Sequence, residues 1–534
     1  MRYEYAPFPY VAPPGLSAAE PRWPVAIVGA GPIGLAMAID LALQGIRSVV
    51  LDDNNVVSVG SRAICWAKRT LEIFDRLGVG ERMLDKGVTW KVGRQFHRDS
   101  QVYAFDLLPE EGHKYPAFIN LQQYYVEQYL VERARDFPDL IDLRFLNTVI
   151  GHTDHGEHVR LEIETPDGQY AIEAEYCIAC DGAASPTRKR MALPFDGQTF
   201  DEHFLIIDVE METSPFGDHD TPERWFWFAP PFHPGQSALL HKQPDNIYRI
   251  DLQLGPDTDP KTEATEEKVI PRIKAIVGDT PFRLDWMSVY KFRCARLEHF
   301  VHGRVLFVGD SAHVVSPFGA RGGNGGIQDV DNLGWKLAAV LKGQAPAHLI
   351  DTYDEERTHG AAENILNSSR ATNFMTPKSP VEALFRDQVL ALAAEHPFAR
   401  KLINSGRLSQ PCSLQGRSLQ TPGTAPIEPG QAMVDAPIRG ADGDTWLISQ
   451  AQGAFTLMTA GSKNLPDIPG TRRIGIGHRA DYPCFDDHCG LVAARYGLDH
   501  IYLLRPDGHV CAVFDSPDAR AISTALDRAM GVQG

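Results

Sequence analysis

Two glycine-rich turns and the acids beside them carry most of the chemistry this chain can do. Gly29-Ala30-Gly31-Pro32-Ile33-Gly34 follows the apolar run 25–28 and reads as G-x-G-x-x-G. In such a turn Gly29 permits the sharp bend, Gly31 lets backbone approach a pyrophosphate, and Gly34 lets helix pack on strand. The anion rests on the unpaired N–H groups and positive end of that helix. Asp52, at the end of the next strand, is placed to take two ribose hydroxyls. A second apolar run, 305–308, delivers Gly309-Asp310 and then the loop 316–326, which holds five glycines within eight residues. Uncovered N–H groups beside a helix start suit a delocalised anion. Asp310 suits polyol hydroxyls, with capping of the following turn as the plainer alternative.

These residues need a strand-turn-helix-strand frame. The apolar positions Ile33, Met37 and Leu41 mark a helix that stops at Gly45, and 48–51 is the next strand. Arg62 precedes an amphipathic helix at 70–78 and is placed to pair with a phosphate. Residues 120–130 read as helix. The runs 143–149, 159–163 and 170–178 read as a β-meander whose last strand returns to the main sheet. That strand delivers Asp181-Gly182, with Ser185 as N-cap and Pro186 as first helical residue. Short aromatic strands from 204 to 253, carrying Trp225, Trp227, His241, Tyr248 and Arg249, predict an antiparallel sheet over an apolar substrate pocket. A helix at 327–341 follows the glycine loop.

At 534 residues the chain exceeds one core, so two or three domains are expected. A net charge of −17 argues against nucleic-acid or membrane-surface partners, which need clustered Lys and Arg. No uninterrupted apolar run is long enough to span a bilayer. Eight cysteines and the lack of a charged-then-apolar leader before Pro24 predict a reducing cytoplasm. Cys177-Ile178-Ala179-Cys180 lies in a strand run without a redox-motif context, and no second ligand pair stands near Cys484 and Cys489 to complete a metal site.

With the three motifs in this order, residues from about 25 to 360 resemble the single-component FAD-dependent aromatic hydroxylases, the group including p-hydroxybenzoate, 3-(3-hydroxyphenyl)propionate and phenol hydroxylases. The resemblance implies an α/β fold: a Rossmann-like FAD-binding domain with an antiparallel-sheet substrate domain, and a C-terminal thioredoxin-like α/β domain. It places Arg62 and Gln123 on the pyrophosphate and adenosine side of FAD, and Asp181-Gly182 in the motif shared by FAD and NAD(P)H. Gly309-Asp310 falls on the ribityl chain, and Pro317, Arg321, Gly322, Asn324 and Gly325 fall beside the isoalloxazine. Arg249 aligns with an arginine that contacts the mobile flavin and His241 with a substrate-facing position, while Trp225 and Trp227 of the aromatic sheet are further candidates for the substrate side. Ile64 stands where phenol hydroxylase has an aspartate that helps activate its substrate.

The implied reaction is reduction of FAD by NADH or NADPH, capture of O2 as the C4a-hydroperoxide and hydroxylation of a phenol. A phenol ionises only near pH ~10, so a base or cation must assist, with His241 the first candidate and Tyr248 and Tyr290 next. The implied layout is a Pro-rich arm at 1–24, a hydroxylase domain at 25–375 with its substrate sheet at about 200–300, a helical linker at 376–425 and the thioredoxin-like unit at 426–534, in a homodimer. Two alternatives remain open. Trp225-Phe226-Trp227-Phe228-Ala229-Pro230 approximates the W-x-W-x-I-P of flavin-dependent halogenases, without their lysine, and a non-catalytic flavin-binding scaffold would share the same motifs.

Overall fold

The computed structural model describes residues 3–532 except 61, 109, 217–220, 256–257, 318 and 404–410. Val25, Ala26 and Ile27 are fully buried on strand β1 (Trp23–Val28), as a strand covered on both faces must be. Helix α1 (Pro32–Leu43) crosses over to β2 (Ser48–Asp52), which pairs parallel with β1. After α2 (Lys68–Leu77), which ends on Gly78 in the left-handed region (φ 87°), the chain adds β3 (Ile141–Phe145) beside β2. Strand β4 (Gly168–Ala179) has two sets of neighbours in one sheet: its first half closes an antiparallel meander with Val159–Thr165, and its second half pairs parallel with β1.

Three local expectations change. Leu146 sits at φ 57°, so the run 143–149 breaks into β3 and Thr148–Asp154, with different partners. Phe118–Asn120 is a strand paired with Cys65–Ala67, and the helix expected from 120 begins at Gln123. The third change concerns the glycine loop, treated below.

The second sheet contains β5 (Asp196–Glu210), β6 (Arg224–Phe228), β7 (Ser237–Lys242), β8 (Ile247–Leu254) and β9 (Arg283–Arg296), with order β9-β5-β8-β7-β6. These pair antiparallel, but Val92–His97 joins β6 in parallel and brings Ser100–Asp106 with it, so the sheet draws on residues well before 200. Strand β10 (Val305–Phe307) then returns beside β4. Helix α3 runs from Gly322 to Leu341, five residues earlier than its apolar pattern suggests. Glycine is a poor helix former, yet a Cβ at Gly326 would lie 2.7 Å from Ile33 Cδ1 and 3.1 Å from Gly309 Cα. Close packing on α1 therefore demands a glycine at 326, and there tertiary contact overrides propensity. Helix α4 (Asp351–Met375) follows.

A separate mixed sheet of Cys484–Phe485, Arg472–Ile476, Thr456–Thr459, Ile501–Leu504 and Val510–Phe514 follows, with its hairpin at Pro506-Asp507-Gly508 as expected, and the helix Ala519–Ala529 comes after it. That hairpin is fastened to the first part by buried charge. Arg505 donates to both carboxylate oxygens of Glu356 (2.6 and 3.0 Å), Lys336 donates to Glu356 (2.8 Å), and Arg69 bridges Asp331 (2.8 Å) and the Asp507 carbonyl. Ions moved from water to a protein interior are retained only when paired in this way.

Candidate active site

A cavity of about 520 Å³ is lined from the parallel sheet on one side and the second sheet on the other. Gly31, Pro32 and Ile33 line its first end, and α1 begins there on Gly31 with no side chain capping its free N–H groups. The three motif glycines divide by role. A Cβ at Gly29 would meet Cys180 O at 2.5 Å and one at Gly34 would meet Gly29 O at 1.9 Å, whereas one at Gly31 meets nothing within 4 Å. Gly29 and Gly34 are thus required by the fold, and Gly31 leaves space on the cavity side. Asp52 accepts from the Ala30 (2.5 Å) and Asn54 (2.8 Å) backbone N–H groups, which pins the turn, and burial raises its pKa. Gln123 lines the cavity and ties Ala63 N–H (3.2 Å) to Glu127 (2.7 Å). Arg62 lines it too, and its carbonyl accepts from Arg249 (3.1 Å). Asp181 accepts from Ser185 Oγ and the Thr187 N–H (2.9 Å), capping the short helix Pro186–Arg190, while Gly182 faces the cavity.

At the other end Gly309 (φ 68°) donates to Asp329 (3.0 Å) and turns Asp310 into the cavity, where burial raises its pKa. Pro317, Arg321, Gly322 and Asn324 line the same end. Arg321 donates to Asn364 (3.1 Å), and Asn324 fastens the first turn of α3 to Ala67 N–H and Cys65 C=O (both 2.9 Å). Gly325 stands behind this lining and its carbonyl accepts from Arg357 (3.3 Å). Helix α3 also starts without a side-chain cap. One cavity therefore receives two uncapped helix N-termini, each suited to negative charge. That fits a dinucleotide whose diphosphate is anionic and whose electron-accepting ring becomes anionic on reduction.

The far wall is the second sheet, and its register decides what faces in. Arg224 on β6, His241 on β7, Arg249 on β8 and Asp208 on β5 stand in one cross-strand row. Asp208 accepts from Arg249 at 2.9 and 3.2 Å. Asp251 and Leu239 are opposite each other in the next row, and Phe204, Ile206, Tyr290 and Phe292 complete the wall. Successive side chains point to opposite faces of a sheet, which corrects three expectations. Trp225, Trp227 and Tyr248 lie on the far face, with Trp227 and Tyr248 packed among Leu240, Ile250 and Leu252. They form core rather than pocket.

His241 is 2% exposed. Burial, then the neighbouring charges of Arg224 and Arg249, push its pKa well below the usual 6.5, so the ring is neutral. Its Nδ1 lies 3.5 Å from the Asn120 amide nitrogen, whose amide oxygen accepts from Trp90 (3.1 Å) and Cys65 (3.3 Å). Such an amide can only donate, which leaves the ring proton on Nε2, an atom with no partner among the described residues. Two further charged residues, Arg224 and Asp251, line the cavity unannounced by any motif. The alternation that carries Arg249 inward carries Asp251 as well, and this is the signal that would have found it.

Residues 22–368 match the family described as FAD binding domain. The chain is 30% identical over 537 aligned residues to a 3-(3-hydroxyphenyl)propionate/3-hydroxycinnamic acid hydroxylase of Mycolicibacterium gilvum, covering 95% of this chain and 91% of that one. It is 29% identical to a 12-dehydrotetracycline 5-monooxygenase/anhydrotetracycline 6-monooxygenase of Streptomyces rimosus, covering 92% and 95%. The fold is that of the flavin-dependent monooxygenase PieE, solved with FAD and substrate, at a TM-score of 0.82 and 21% identity over 97% of this chain and all of that one. With the glycine turn, the Gly309-Asp310 end and both helix N-termini meeting in one cavity, the chain belongs to the FAD binding domain family, among its flavin-dependent aromatic hydroxylases.

Proposed function

We propose that the protein uses NADH or NADPH and O2 to hydroxylate a phenolic aromatic compound. The observation that carries this reading is the wall facing the cofactor end: aromatic and aliphatic surface from Phe204, Ile206, Leu239 and Phe292, interrupted by Arg224, His241, Arg249 and Asp251. FAD, once reduced by the nicotinamide, supplies the oxygen-transferring chemistry. The chain's residues do the rest. Asp310 and the start of α3 hold the polyol and ring, the apolar wall seats the substrate ring and excludes water, and neutral His241 offers Nε2–H to a substrate oxygen. Residues 426–534 are read as a thioredoxin-like unit without redox function, since Cys484, Cys489 and Cys511 have no C-x-x-C spacing, and the active form as a homodimer in the cytoplasm.

The test is a panel of hydroxylated aromatics, 3-(3-hydroxyphenyl)propionate among them, screened for stimulated NAD(P)H consumption with the product identified by mass. One added oxygen per nicotinamide supports the reading. A protein that holds FAD but oxidises no nicotinamide with any phenol is a scaffold, and chlorinated product with halide indicates the halogenase alternative.

A further inference from the structure

Among the described residues, Asp251 is the carboxylate that lines the substrate side of the cavity, and it is unsatisfied. Neither oxygen of its carboxylate has a hydrogen-bond partner among the described residues: Oδ1 is buried, and the side chain as a whole is half-buried on the cavity wall. The Arg224 guanidinium, on the same wall, also makes no hydrogen bond or ion pair among them and lies over the Trp90 ring at 5.5 Å. Buried polar groups almost always have partners, so two opposite charges left open on one wall mark the place of a polar ligand. Arg249 does not fill it, because its guanidinium is committed to Asp208 and to the Arg62 carbonyl.

Resting on the reading of a phenol as substrate, we propose that Asp251 is the catalytic group that takes the proton of the substrate's ring hydroxyl, with Arg224 holding the oxygen it leaves. The O–H bond breaks, its electron pair stays on oxygen to feed the ring, and the proton forms a bond to an Asp251 carboxylate oxygen. No oxidant enters this step. His241, neutral and carrying its proton on Nε2, is a donor to that oxygen and not the base.

The groups facing Asp251 are Arg249 on its own strand, Asp208 on β5, Arg224 on β6, His241 on β7, Tyr290 on β9 and Cys65 from the opposite side. Burial raises the Asp251 pKa to about 6 against the pull of Arg249, with Asp208 adding to the rise and Arg224 opposing it. A carboxylate so poised is ionised at neutral pH and close enough to it to exchange a proton readily.

The experiment uses the FAD-loaded protein and whichever phenol of the panel the parent turns over; a parent that turns over none refutes the functional reading before Asp251 is in question. Asp251→Asn should keep its FAD while product per NAD(P)H falls at least about tenfold, a positioned base contributing about 10²–10⁴-fold, with the remainder appearing as hydrogen peroxide. The parent's acid limb near pH 6 should vanish in Asp251→Asn, return displaced in Asp251→Glu, and move to higher pH in Arg224→Gln, where a cation that favours the ionised carboxylate is gone. Asp251→Asn that forms product at the parent rate with the same acid limb overturns the assignment. Should Asp251→Asn lose its flavin, Asp251→Glu decides: a displaced limb supports the proposal and an unmoved limb at parental coupling refutes it.

Discussion

Arg357 donates from Nε to Asp329 Oδ1 at 2.6 Å, at the back of the cofactor end of the cavity. The other oxygen of Asp329 accepts from Gly309 N–H (3.0 Å) and His313 Nε2 (2.7 Å), so one buried carboxylate fixes the turn that presents Asp310. Against the cost of burial, His313 and Arg357 hold its pKa below the usual carboxylate range. Breaking a buried pair from one side costs about 3–5 kcal/mol. Asp329→Ala should lower the melting temperature sharply and release FAD, as read by thermal denaturation and flavin fluorescence. Parental values for both would assign Asp329 no part in holding the turn.

Gly31 and Gly34 should separate cofactor binding from folding. Gly31→Ala adds a Cβ that meets no protein atom within 4 Å, at a φ of −70° that alanine accepts, so stability should hold while FAD affinity falls. Gly34→Ala drives a Cβ into Gly29 O and should destabilise the apoprotein itself. Calorimetry of both apoproteins, beside flavin titration, checks the split. Equal stability losses would contradict it.

Asp310→Ala should weaken FAD more than Asp52→Asn. Asp310 is open to the cavity, whereas Asp52 already spends lone pairs on Ala30 and Asn54. Loss of a charged hydrogen-bond partner costs about 1.5–3 kcal/mol, or roughly ten- to hundredfold in affinity. Flavin titrations giving the reverse order would show that the ribose contact dominates.

His241→Gln should lower coupled hydroxylation and leave the acid limb near pH 6 in place. Burial, with Arg224 and Arg249, pushes the ring's own pKa well below the usual 6.5 and holds it neutral, so the limb is assigned to Asp251. A pH profile that loses the limb in this variant would return the base to His241.

Acid should loosen the C-terminal hairpin early. Against burial, Arg505 and then Lys336 hold the Glu356 carboxyl well below its usual value, and Arg505 with His509 does the same for Asp507. A depressed carboxylate adds stability above its unfolded pKa of about 4, and that stability is lost as pH falls below it. Glu356→Gln should flatten the acid dependence of the melting temperature below pH ~5, a window set by those unfolded values. An unchanged slope would place the acid sensitivity elsewhere.

The glycine turn, Asp52 and Gly309-Asp310 were legible in the sequence because each is a local pattern whose chemistry follows from spacing. The wall opposite was not. Strands β6, β7 and β8 were readable as strands, but which face of each meets the cofactor depends on a register fixed between residues far apart, and one step of phase exchanges Trp225 for Arg224 and Tyr248 for Arg249. A similar non-local cause hid the first turn of α3: Gly322–Gly326 has loop composition, while the close approach of Gly326 to Ile33 and Gly309 and the bonds of Asn324 to Ala67 and Cys65 come from residues far away in the chain.

The pairing of Arg505 with Glu356 also bears on how this protein can be recombined. A hybrid that joins residues 1–425 to the last hundred or so of a relative would strand Glu356 and Lys336 against a foreign hairpin, and a truncation at 425 would expose the same charges to water beside an uncovered Trp335, whose Nε1 bonds Asp507 at 3.2 Å. The two ends should therefore be exchanged as one piece, at joints that carry residues 336, 356 and 505–507 together and so keep these buried charges paired.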